Sequence, residues 1–250
     1  KISAKADFYP ATRTGRFEAN STLHVQMLAR KVFGIDLLKQ VTFSRPPEIK
    51  CTGSIVLDEN FKPDIQVTGH AAINNFTCLG ARFKKLQTDV SSHGYDLFLT
   101  DLTATHDEGE LKGRVLLKDE TVRFEAESTL PPSTYIAFIR GSPIEKALQD
   151  ANFDPKSKVS ISAKGTINRN NVTEWDAAGK ADFRHFSYMD VPMHQLSGGF
   201  EMSNLRSKFS DIVANLDYTD YWLRRRHRGP ASARVTADAI TIDRTDQSVR

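Results

Sequence analysis

Residues 17–23 read Phe-Glu-Ala-Asn-Ser-Thr-Leu and residues 124–130 read Phe-Glu-Ala-Glu-Ser-Thr-Leu, one heptad with a single change at an offset of 107. A chain that repeats itself builds one supersecondary unit twice, which limits its folds more than any composition value does. A second anchor is a glycine-centred segment, in which 49–55 (Ile-Lys-Cys-Thr-Gly-Ser-Ile) matches 161–167 (Ile-Ser-Ala-Lys-Gly-Thr-Ile) at an offset of 112. A third block holds an offset of 110, pairing Gly69 with Gly179, Ala71 with Ala181, Phe76 with Phe186, Leu86 with Leu196, Asp101 with Asp211 and Ala104 with Ala214. The small differences between offsets belong in loops. The expected organisation is the end of a preceding unit over 1–23, a first unit over 24–130, a second over 131–240, and a tail at 241–250 that continues into further sequence. A window cut from a longer array has this appearance.

Most of the chain alternates with period two, the pattern of strands with one apolar and one wet face. Ile49, Cys51, Gly53, Ile55 and Leu57 alternate with Lys50, Thr52, Ser54 and Asp58, and Ile65, Val67, Gly69, Ala71 and Ile73 alternate with Gln66, Thr68, His70 and Asn74. Leu111, Gly113, Val115 and Leu117 lead through Lys118-Asp119-Glu120 to Val122, Phe124 and Ala126, with Asp107-Glu108-Gly109 as the preceding turn. Clean alternation with short polar turns predicts antiparallel neighbours in a meander, because buried parallel strands carry continuous apolar runs. Two stretches have helical spacing instead, 24–41 and 133–151. They carry Met27, Leu28, Val32, Ile35 and Leu38 in the first, and Tyr135, Ile136, Phe138 and Ile139 in the second, each broken at a glycine. Ser142-Pro143-Ile144-Glu145 has the composition of a helix start. The predicted fold is mainly β: a long, curved, trough-like antiparallel sheet of repeats, with short broken helices between units.

Function is narrowed mostly by exclusion. Net charge is +3 from 34 basic and 31 acidic residues, too even to mark a nucleic-acid binder. No apolar run approaches the roughly 20 residues of a membrane-spanning helix. The seven histidines form no HExxH or other ligand spacing, and His106-Asp107-Glu108-Gly109-Glu110, the densest group of potential ligands, falls on an expected turn. There is no GxSxG elbow, Walker loop or GxGxxG, so no catalytic residues, metal ligands or cofactors are predicted. Cys51 and Cys78 lack zinc or CxxC spacing; they read as small apolar strand residues or as a disulfide in an oxidising compartment. Tyr221-Trp222-Leu223 followed by Arg224, Arg225, Arg226, His227 and Arg228 suits nucleic acid, an anionic lipid surface, or a charged strand end.

The run from Gly69 through Phe76, Leu86 and Asp101-Leu102 to Gly109-Glu110-Leu111-Lys112-Gly113-Arg114-Val115 resembles the AsmA family and its relatives of the TamB type. The segment from Gly179 through Asp211-Ile212-Val213-Ala214 is similar, so the likeness covers most of 45–240. It implies a β-groove in the periplasm, anchored to the inner membrane by a helix outside this sequence and linked to phospholipid transport or outer-membrane assembly. No catalytic residues are implied. The implied partners are phospholipid acyl chains and other envelope proteins, with no nucleic acid. On that reading Ile49, Ile55, Ile65, Val67, Val115, Leu117, Val122 and Phe124 line one lipid-binding groove. The rivals are a structural or adhesive β-repeat with a packed core, and an enzyme domain with paired carboxylates in a cleft.

Overall fold

The computed structural model describes residues 2–21, 41–78, 80–136, 145–154, 156–171, 173–217 and 232–243. These are 76% strand and 4% helix, and fifteen strands form one long, open antiparallel sheet that does not close into a barrel. The helical expectation for 24–40 lies outside the described residues, as do 137–144. The chain divides into two compact units, Lys1–Glu125 with Ile167–Val172, and Ala126–Thr166 with Thr173–Arg250.

The first unit contains β1 (Ile2–Tyr9), β2 (Thr14–Ser21), β3 (Val41–Phe43), β4 (Glu48–Leu57), β5 (Pro63–Cys78), β6 (Ala81–His93), β7 (Asp96–His106) and β8 (Gly109–Lys118). The unit boundary cuts β9 (Thr121–Ser128). The second unit holds β10 (Ala151–Asn152), most of β11 (Lys158–Asn168, whose last two residues fall in the first unit), β12 (Trp175–Tyr188), β13 (Val191–Ser203), β14 (Arg206–Asp217) and β15 (Ser232–Asp243). Strands joined by short turns pair as a meander, as those turns predict, while β3 and β10 pair with β5 and β12 off the main path. A 3₁₀ turn at Pro132–Tyr135 and a helix α1 at Glu145–Gln149 occupy the second expected helical stretch. The Tyr135 and Ser128 hydroxyls bond to each other, and the Leu130 N–H donates to Ser128 Oγ.

The helical expectations ended at 41 and 151, and at both places the chain is strand instead. Val41 of β3 pairs with Cys78, and Ala151 of β10 pairs with Tyr188. In the first unit the cause is an open ladder: β4 pairs with β5 only as far as Glu48–Ala72. The unpaired end of β5 beyond it needs another partner for its backbone groups.

The repeat is a repeat of backbone geometry. β2 and β9 begin and end at equivalent residues, Thr14–Ser21 and Thr121–Ser128. The β5–β6 turn flanks, Cys78 and Ala81, reappear as Tyr188 and Val191, and those of β6–β7, His93 and Asp96, reappear as Ser203 and Arg206. Ile73–Leu86 pairing recurs as Phe183–Leu196, and Leu86–Ala104 as Leu196–Ala214. Even the irregularities coincide. Asn75 and His185 have φ of 51° and 56°, and Asp101 and Asp211 have 50° and 51°. Asn, Asp and His are the non-glycine residues that best tolerate this left-handed region. At Asp101 and Asp211 the ladder slips between Gln87/Asp89 and between Ser197/Gly199, a β-bulge at one place in both units. In the first, the nearly buried Thr88 donates its hydroxyl to the Thr100 carbonyl at 2.8 Å, satisfying the bulged backbone.

The anchor glycines are required by close approach. A Cβ on Gly69 would overlap the Lys50 carbonyl oxygen and crowd Cys51 Cα at 2.9 Å; one on Gly179 would overlap the Ser162 carbonyl and crowd Ala163 Cα at 2.9 Å. Both contacts are backbone, which cannot swing away. Gly69→Ala and Gly179→Ala are each expected to destabilise by about 1–3 kcal/mol. Urea unfolding checks this as a fall in midpoint, and an unchanged midpoint for either variant would show that the strands are not packed this closely.

Candidate functional site

The eight predicted groove residues share one face of the sheet. Ile55 is opposite Ile65 and Gly53 opposite Val67, while Ile49 is opposite Ala71. Val67 then faces Ser92, Ser92 faces Leu97, and Leu97 faces Leu117; Gly69, Val90, Leu99 and Val115 form the next row. Directly opposed residues in an antiparallel ladder lie on the same face. The facing of β9 follows from an ion pair. Arg114, on the other side of β8 from Val115, reaches Glu125 (Nη2–Oε2 2.7 Å, Nε–Oε2 3.0 Å). Glu125 therefore projects to the wet side, and Val122 and Phe124 to the apolar side.

Burial along this face is uneven. Leu117 is 1% exposed and Val122 9%, whereas Ile65 is 38% exposed; Ile49, Ile55, Val67, Val115 and Phe124 are half-buried. The structure thus brings the eight onto one side but packs two of them away. It keeps Ile73 of the same alternating strand on this side and adds Phe17, Leu86, Val90, Leu97 and Leu99, which sequence alternation did not pick out. The Phe17 ring lies across Gly53, the residue opposite it, where a Cβ would collide with the ring.

Leu97 and Leu99 are odd-numbered and Leu102 and Ala104 even, yet all four face the same way, because the bulge at Asp101 resets the alternation. The signal was Asp101 itself, a polar, left-handed-tolerant residue interrupting an apolar run.

The opposite face is polar and laterally paired. Thr52 and Thr68 are opposed and bonded at 3.3 Å, and the opposed His70 and Asp89 are 2.8 Å apart. Asp182 accepts from Arg184 (Nη2 2.7 Å, Nε 3.0 Å) and from the Gln195 amide at 3.0 Å. The Arg184 hydrogen bond is the main cause that holds its carboxyl below the usual range, against partial desolvation. In the turn at 106–110, His106 Nδ1 accepts the Glu108 N–H at 3.1 Å and its ring meets Phe83 edge-on. Lys84 Nζ is 2.5 Å from Asp107, whose carboxyl it lowers, and Lys112 pairs with Glu110. These groups are turned to their own neighbours, and among the described residues no three His, Cys, Asp or Glu side chains converge as a metal site.

Both cysteines are free thiols. Burial pushes both up, and for Cys51 a backbone hydrogen bond with Ala19 opposes the shift. The Tyr221–Arg228 stretch lies outside the described residues. No described helix is long and apolar enough to cross a membrane.

The chain matches no protein-family model, no curated protein and no solved structure. The likeness to AsmA-type proteins therefore stands on its own strands and glycines.

Two outcomes follow from the uneven burial and the wet-face pairing. Leu117→Ala should cost about 2–5 kcal/mol, and Ile65→Ala well under half of that, because only Leu117 leaves a cavity; equal costs in urea titration would mean Ile65 is covered in solution. Asp182 has a depressed folded pKa, so its contribution to stability is present above the ordinary aspartate range. That contribution is lost as pH falls through the depressed value. Asp182→Asn should flatten this acid limb in melts run from neutral pH downward, and an identical acid limb would remove Asp182 as its source.

Proposed function

We propose that this chain is a non-catalytic segment of a β-groove protein of the AsmA and TamB kind, acting in the cell envelope in phospholipid transport or outer-membrane assembly. Its apolar sheet face, along Ile49, Ile55, Ile65 and Val67, shields acyl chains from water.

The observation that carries this reading is the half-exposed state of an apolar face that runs continuously across β4 to β8. A sheet with one apolar face covers it with a second layer or with something else. An acyl chain is a fitting cover, since it is apolar along its whole length and indifferent to side-chain detail. Each methylene it buries is worth about 0.8 kcal/mol.

The near-complete burial of Leu117 and Val122 favours a second reading, a structural repeat with a dry core. The two differ in what a charge does at Val67. In a lipid path, Val67→Asp interrupts the path while its rim stays wet enough for the fold to survive; in a dry core it buries an unpaired charge and unfolds the protein. A photoreactive residue at Val67 is expected to crosslink to phospholipid, and the Val67→Asp variant to melt within a few degrees of the parent. Absence of a crosslink together with collapse of the melting temperature would end the groove reading.

A further inference from the structure

At one end of the first unit's strands four turns lie side by side: 10–13 between β1 and β2, 58–62 between β4 and β5, 94–95 between β6 and β7, and 119–120 between β8 and β9. Arginine, histidine and lysine side chains tie each turn to its neighbour. Arg13 holds its guanidinium 5.2 Å from the Phe61 ring centre and donates to the Asp58 carbonyl at 3.4 Å, while its own carbonyl accepts the Leu57 N–H at 2.9 Å. His93 Nε2 lies 2.9 Å from Asp64, and Lys118 Nζ 3.9 Å from Asp96. Arg169 donates its backbone N–H to the Glu120 carbonyl at 2.7 Å and its guanidinium to the Asp119 carbonyl at 3.4 Å. The turns form one braced edge.

What projects beyond that edge is aromatic. Phe8 and Tyr9 flank the first turn, Phe61 (68% exposed) tips the second and Tyr95 (80% exposed) tips the third. Single exposed aromatics need no explanation, but a row on three successive turns does. Neighbouring hairpins sit roughly 10 Å apart, two strand spacings. Phe61 sits at φ 59°, a backbone conformation costly for a bulky side chain.

We infer that this edge is a membrane-contact edge, with Phe61, Tyr95 and Tyr9 entering the headgroup–acyl boundary of a phospholipid bilayer. Phe and Tyr bury a ring there and, for Tyr, leave the hydroxyl wet. The charges name the kind of surface. Asp58 accepts the Asn60 and Lys62 N–H groups at 2.8 Å each, and Asp64 and Asp96 are paired with His93 and Lys118. Arg13, Lys118 and Arg169 are engaged with acids and carbonyls of the edge itself and, among its described residues, Lys62 alone offers its ammonium, so zwitterionic phospholipid is the expected surface. The inference does not require the sheet face to hold lipid.

The test is flotation of the full chain with phosphatidylcholine vesicles, compared with phosphatidylglycerol vesicles, at low and high salt. The parent is expected to float with both and to stay bound at high salt. The Phe61→Asn/Tyr95→Ser variant should bind about tenfold more weakly. Phe61→Asn alone should also melt at or above the parent temperature, because Asn accepts the left-handed conformation that Phe resists. Met189→Ser, at an exposed tip between β12 and β13, should float like the parent. Flotation only with phosphatidylglycerol and released by salt would assign binding to basic residues such as Arg224–Arg228 and overturn the inference. Vesicle binding retained by the double variant would overturn it too, as would a parent that self-associates through these residues without floating. A parent chain that does not float, with lipid crosslinking from Val67 intact, overturns this edge alone and leaves the groove reading standing.

Discussion

A β-sheet keeps its apolar residues on one side only while every strand holds register, because a slip of one residue sends each side chain to the other face. Here register is deliberately reset inside the strands. Asp101 and Asp211 take left-handed backbone at the same point of β7 and β14, and the ladder slips by one residue at each. Without that bulge Leu97 and Leu99 would sit opposite in facing to Leu102 and Ala104. The continuous apolar face depends on a short polar residue that can adopt φ near 50° without a large steric penalty.

That dependence explains what was legible in the sequence. Strands whose alternation is unbroken, β4, β8 and β9, could be read directly, and their apolar residues fall on one face. The repeat offset could be read too, since Gly69 and Gly179 meet the equivalent backbone of Lys50-Cys51 and Ser162-Ala163. Residues beyond a bulge could not. Leu86, Leu97 and Leu99 belong to the face, yet period-two counting loses the thread where Asn75 and Asp101 intervene. The short strands β3 and β10 were also hidden, because three residues or fewer carry no period. Their existence follows from the neighbouring ladder, in which β5 runs on past the first residue of β4.

On the polar face, no single pair contributes much. Cross-strand threonine pairs and exposed ion pairs are worth about 0.2–1 kcal/mol each. Thr52–Thr68, His70–Asp89, Arg114–Glu125 and Asp182–Gln195 act by lateral repetition instead, fixing which side of each strand is wet. The Arg114–Glu125 pair illustrates the point: its main structural consequence is the opposite facing of Val122 and Phe124, one strand away from Val115.

The two units also offer an internal comparison, since the same backbone is dressed twice. On the wet side the residues change freely: Ala72 becomes Asp182 and Asp89 becomes Gly199. On the other side character persists: Val67 becomes Ala177, Ile73 becomes Phe183, Leu86 stays Leu196, Val90 becomes Phe200 and Leu99 becomes Phe209. Side-chain volumes shift by more than a tightly interlocked core tolerates without compensation. Here the compensation is local: where Val90 becomes Phe200, the residue opposite remains glycine and the ring extends over it. A surface that holds its polarity while changing its relief is suited to a partner without fixed shape. A fluid hydrocarbon chain meets that requirement, and a complementary protein layer would have to change in step with every substitution.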